Sequence, residues 1–113
     1  MTNWFGAKLR FAIIVEQLGL RHYMDSVILF EAEDFENAFN QALRIGRAKE
    51  QEYRNGDGQL VRWRLVEVLS LDKIKEENLD GAEICSEPVF TADPSVAIDH
   101  QFHPEISRPT QTM

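Results

Sequence analysis

One cysteine, Cys85, in 113 residues excludes an intramolecular disulfide and any zinc site built on several thiolates, and it suits a reducing compartment. Long apolar runs are missing too. The longest, Phe11 to Val15, falls far short of the roughly 20 residues a membrane-spanning helix needs. Residues Met1 to Phe5 show no charged and apolar leader with a small-residue cleavage site, so a cytoplasmic location is expected. Basic residues are scarce: 12 Lys and Arg stand against 19 Asp and Glu, for a formal charge of -7. That balance argues against general nucleic-acid binding, in which cations must replace the counterions of a polyanion. Chemical motifs are lacking as well. Ser26, Ser70, Ser86 and Ser95 lie in no nucleophile-elbow pattern. The glycine-rich Asn55-Gly56-Asp57-Gly58 follows a helical pattern and precedes a strand, the wrong order for a phosphate loop. No cofactor is expected.

What is present is the balance of a folded protein, 43% hydrophobic and 27% charged, which places the chain outside the disordered class. The length suits one hydrophobic core. Residues 1–91 are expected to form a single α+β domain, and 92–113 a C-terminal extension, partly a helical turn and then a polar tail.

From Trp4 to Glu16 the residues alternate, with Phe5, Ala7, Leu9, Phe11, Ile13 and Val15 on one face and Lys8, Arg10 and Glu16 on the other. This is a long strand. Gln17 to Asp25 has no period and reads as a connection; Ser26 to Ala32 reads as a second strand, antiparallel to the first. Asp34 is a good N-cap and Glu36 suits the first helical turn. Phe35, Ala38, Phe39, Ala42, Ile45 and Gly46 make one apolar stripe, so a helix is expected from here to about Tyr53. Gln59 to Leu71 reads as another strand, with Val61, Trp63, Leu65 and Leu69 on one face. Glu67 breaks that set, either at an edge of the core or through a β-bulge near Leu65 and Val66. Asp72 to Asp80 could form a short helix, Glu83 to Val89 a fourth strand, and Asp93 to Ile98 a helical turn. The expected fold is thus α+β: an antiparallel sheet of about four strands with one long amphipathic helix on one face, in the order β-β-α-β-(short α)-β, ferredoxin-like or related.

Several of these segments also resemble a known family. Trp4-Phe5-Gly6-Ala7-Lys8-Leu9, the passage Val27 to Ala32 leading to Ala38 and Ala42, Val61 to Leu69, and Asp80-Gly81-Ala82-Glu83-Ile84 are similar, in that order, to a family of small bacterial proteins catalogued as domain of unknown function 4288. The resemblance covers roughly Trp4 to Ser86. It implies a compact α+β domain and carries no catalytic residues over to this chain.

Chemistry, if present, is most readable on the second face of the sheet, where Lys8, Arg10, Arg62 and Arg64 collect a third of the basic residues. They could form an anion-binding site, with planar guanidinium forks for a carboxylate or phosphate and Trp4 as a stacking surface. The simpler account is pairing with acids on neighbouring strands. Ala12, Ile14, Val66 and Val68 share that face, so either the C-terminal segment or a second copy of the chain should cover it. His100 and His103 with Asp99 and Glu105 are a weak metal signal on a polar tail, and no metal site is assigned. Cys85 reads as a structural thiol.

Two functional classes follow. The favoured one is a noncatalytic interaction module, homodimeric and able to bind a protein partner, of which an inhibitor or immunity-type protein would be one version. The alternative is a small enzyme or ligand-binding protein that holds an anionic ligand with Lys8, Arg10, Arg62 and Arg64.

Overall fold

The computed structural model describes residues 1–89, 96–106 and 109. Four antiparallel strands and one helix carry the fold: β1 Asn3–Val15, β2 Gly19–Ala32, α1 Phe35–Ala48, β3 Gln51–Arg54 and β4 Leu60–Lys73. The sheet order is β2-β1-β4-β3, so two hairpins lie side by side and α1 carries the chain from one edge to the other. The α+β class with a four-stranded antiparallel sheet is as the sequence leads one to expect. The membership of the sheet differs in four places.

First, the connection after β1 is only Glu16 to Leu18, a turn closed by the Leu18 N–H donating to the Val15 carbonyl at 3.1 Å, with Gln17 at φ 70. β2 therefore starts at Gly19 rather than Ser26. Its first seven residues are exposed on both faces, because the part of β2 that the core buries is its far end, at Phe30 and Ala32, and a stretch with no buried side shows no alternation to read.

Second, α1 stops at Ala48 rather than near Tyr53. Its start matches expectation: Asp34 caps it by accepting the Asn37 N–H at 2.8 Å, with Glu36 in the first turn. Beyond Lys49 the Glu50 carboxylate takes the Leu65 N–H at 2.9 Å, and Gln51 to Arg54 pair with β4. Asn55 to Gln59 is thus a hairpin loop, held by the Asn55 side-chain oxygen accepting the N–H groups of Asp57 and Gln59, each at 3.0 Å.

Third, β4 contains two bulges. Pairing with β1 runs from Arg10↔Glu67 to Phe11↔Leu65 and from Lys8↔Ser70 to Leu9↔Val68, so Val66 and Leu69 are extra residues. Glu67 lands opposite Arg10, through the bulge and not through a core edge. The same shift at Val66 turns Val68 to the helix side, where it packs on the core, contrary to its expected place on the second face.

Fourth, no helix forms over Asp72 to Asp80 and no strand over Glu83 to Val89. β4 runs on to Lys73, and the Ile74 N–H donates to the Trp4 carbonyl at 2.8 Å. The first half of the expected turn at Asp93 to Ile98 lies outside the described residues; Pro104–Ile106 forms a single 3-10 turn.

The core lies between α1 and the middle of the sheet, built from Phe5, Ala7, Leu9, Phe11, Phe30, Ala32, Ala38 and Ala42. Phe35 and Phe39, expected in it, are 61% and 42% exposed. Ala38, Ala42 and Gly46 are the residues α1 buries, and small side chains let it approach the strands closely, which leaves the large rings on its flank. A smaller cluster of Ile13, Val15 and Val61 extends the core beyond the helix, with Trp63 packed against both clusters.

Candidate functional site

The register places Lys8 and Arg10 of β1, and Arg62 and Arg64 of β4, all on the face turned away from α1. The expected cationic quartet is therefore real as an arrangement. Each member is held by a carboxylate. Lys8 Nζ lies 2.6 Å from Glu87 Oε1. Arg10 grips Asp25 with two parallel bonds, Nε to Oδ1 at 2.8 Å and Nη2 to Oδ2 at 3.0 Å, and its guanidinium lies 5.3 Å from the Tyr23 ring centroid. Arg62 and Arg64 share Glu52, whose Oε1 is 2.5 Å from Arg62 Nε and 3.4 Å from Arg64 Nη2.

Two of these contacts join cross-strand neighbours in the ladder, which is why they form. Arg10 pairs with Asp25 on β2, and Arg62 with Glu52 on β3. Glu87 comes from the segment after β4. That segment passes over the same face, with Ile84 so close to Gly6 that a Cβ there would stand 2.5 Å from Ile84 Cγ2 and 3.1 Å from the Ile84 carbonyl oxygen. The chain itself thus covers the Gly6 and Lys8 end of the second face. Ala12, at the other end, lies between Tyr23 and Arg64 and is buried beside these larger neighbours.

Asp25, Glu52 and Glu87 were not candidates from the sequence. Asp25 falls in what reads as a connection, Glu52 in what reads as helix, and Glu87 depends on a chain path no local pattern encodes. The glycine-rich loop was the available signal for Glu52, because a turn of that chemistry fits a strand on each side.

Electrostatics follow the pairing. The hydrogen bond from Arg10 lowers the Asp25 carboxyl below its usual range, aided by the positive charges of Arg10 and Lys8 and opposed by desolvation. The hydrogen bond to Glu87 raises Lys8, against desolvation and with the attraction of Glu87 and Asp25. A carboxyl lowered on folding stabilises the fold above its unfolded value, near 3.9, and loses that contribution as pH falls through the folded value. The stability gap between the native protein and Asp25→Asn should accordingly be widest near neutral pH and close in acid. Urea midpoints across the pH range check this, and a gap of constant size would show that the ion pair contributes nothing.

On the β2 side of this face the apolar residues lack such partners. Tyr23, Val27 and Leu29 alternate with Asp25 and Glu31, and they are 52%, 48% and 42% exposed. A cleft of about 390 Å³ beside the covering segment is lined by Asp72, Lys73, Lys75, Glu76, Glu83 and Cys85, among others. Its charges are mixed in sign. His103 Nδ1 is 3.4 Å from Glu105, and among the described residues no group of three or more His, Cys, Asp or Glu side chains could hold a metal ion. No helix among them is long and apolar enough to cross a membrane.

Comparison with curated proteins and with solved structures returns no match. Apart from Glu87, every residue of the second face named above falls within residues 4–86, which match the family model described as Domain of unknown function (DUF4288), and the chain belongs to that family.

Proposed function

We propose that this chain is a noncatalytic interaction module of the cytoplasm that works as a homodimer. One observation carries the reading: on the second face the cations are already occupied by carboxylates, while the apolar row Tyr23, Val27 and Leu29 beside them stays exposed. An anionic ligand would have to displace Glu87, Asp25 or Glu52 to reach Lys8, Arg10, Arg62 or Arg64. A protein surface gains by burying the apolar row instead, at roughly 25 cal/mol per Å² of apolar area. The net charge of -7 suits a basic target, and an inhibitor or immunity-type role is the version of this module that uses it.

Light scattering coupled to size exclusion on the full chain should give a mass of two chains at micromolar concentration. Leu29→Lys should shift it to one, because a lysine on an exposed strand resists association at little cost to the fold. A wild-type chain that stays monomeric at about 100 μM, a weak limit for specific association, would overturn the homodimer.

A further inference from the structure

We propose that two copies of this chain pair antiparallel along the outer edge of β2, with Ser26 facing the partner's Ser26 across the twofold axis, so that the two sheets become one. The inference rests on the homodimer reading and specifies its geometry.

The sheet leaves three stretches of strand edge free among the described residues, and they differ in how they are protected. β3 is only four residues long. β4 beyond Trp63 carries the bulges at Val66 and Leu69, and its Leu65 N–H is already taken by Glu50. Short length, bulges and occupied backbone groups are the usual protections of an edge. β2 lacks them over most of its length: its register with β1 is unbroken from His22 to Ala32, and the one bulge falls at Arg21. Tyr23, Met24, Val27 and Leu29 are all more than 40% exposed along it. Asp25, the charge nearest the middle of this edge, is neutralised by the two-pronged bond from Arg10.

Charge complementarity selects both the occupant and the register. Centred on Ser26, an antiparallel pair sets Arg21 against the partner's Glu31, twice by symmetry, and Tyr23 against the partner's Leu29. Met24 meets the partner's Ile28, and no like charges face each other. Among the described residues Arg21 has no carboxylate within 4 Å, so it is free for this contact. Neighbouring registers are worse. Centred on Asp25, the pair opposes two aspartates; centred on Ile28, it sets Asp25 against the partner's Glu31. Centred on Val27, it places Tyr23 against the partner's Glu31 and carries Arg21 past the end of β2, to the partner's Glu33. Within one chain Arg21 and Glu31 are ten residues apart on a strand, about 33 Å, and cannot reach each other.

Two experiments on the full chain test this. In a Cys85→Ser background, Ser26→Cys should cross-link to a covalent dimer under mild oxidation, because directly opposed Cβ atoms lie about 4.5–5.5 Å apart, near disulfide geometry. Val27→Cys should cross-link far less, and the reverse preference would overturn the register. In solution, Arg21→Glu and Glu31→Arg should each weaken the dimer about tenfold, since each reversal turns two favourable pairs into like-charged ones. The double variant should restore it. A wild-type dimer that ignores these reversals, with no cross-link at Ser26→Cys, would overturn the edge while leaving the homodimer standing. A wild-type monomer would overturn both. A monomer whose β2 amides resist hydrogen exchange would place another segment of the same chain on that edge, and would also overturn the proposal.

Discussion

Replacing Phe11 by alanine is expected to cost about 3–5 kcal/mol, as removal of a well-buried aromatic ring does. Phe11 is 2% exposed on the strand that pairs on both sides, opposite Met24 of β2 and Leu65 of β4. Its ring packs on Trp63 with centroids 6.2 Å apart at 50°. Trp63 in turn touches the main core and the smaller cluster of Ile13, Val15 and Val61, so the missing ring opens a void at their junction. Two backbone ladders hold β1 in place and limit collapse into that void. Against the roughly 5–15 kcal/mol typical of a native protein, the variant keeps little margin. Urea unfolding followed by tryptophan fluorescence measures the loss. Phe11→Leu, which keeps most of the volume, should lose less than about 1.5 kcal/mol. If the alanine variant lost under about 1 kcal/mol, the cavity estimate for this junction would be wrong, because the site would have collapsed.

Gly46→Leu should be nearly as damaging, at about 1–3 kcal/mol from overpacking. Gly46 is the point on α1 where a Cβ would stand 2.8 Å from Leu65 Cδ2, 3.1 Å from Leu65 Cδ1 and 3.3 Å from Leu9 Cδ1. A larger residue must push the helix off β1 and β4 or force Leu9, which is fully buried, out of its rotamer. Gly46→Ala is the informative control. Alanine gains about 0.8–1.0 kcal/mol of helix propensity, which offsets the strain of moving the Leu65 methyls, so the variant should lie near the wild type. Thermal melts of the pair distinguish the two effects. A leucine variant as stable as the alanine one would mean that the helix does not depend on close approach at this position.

The same closeness explains a limit on what the stripe of α1 reveals. Periodicity finds Phe35, Ala38, Phe39, Ala42, Ile45 and Gly46 on one side, and the buried subset is Ala38, Ala42 and Gly46. Spacing tells which residues share a side. It does not tell how near the opposing surface comes, and that distance decides whether a large ring fits beneath the helix or beside it. The second face behaves alike. Its cations were legible from the alternation of Lys8 and Arg10 and of Arg62 and Arg64, because a strand assigns faces by parity. Their partners were not, because pairing depends on which strands are neighbours and on the path the chain takes after β4.

By itself, then, the sequence determined β1, the body of β4, the start of α1 at Asp34 and the shared face of Lys8, Arg10, Arg62 and Arg64. These are local properties: a period, a cap, a parity. Tertiary structure alone decided that Gly19 to Asp25 is strand, that Gln51 to Arg54 leaves the helix for the sheet, and that Ile84 and Glu87 close over Gly6 and Lys8. Each of these draws its stability from hydrogen bonds or contacts with residues distant in the chain. Exposed edge strands and covering segments carry little hydrophobic pattern of their own, so only their partners give them a place.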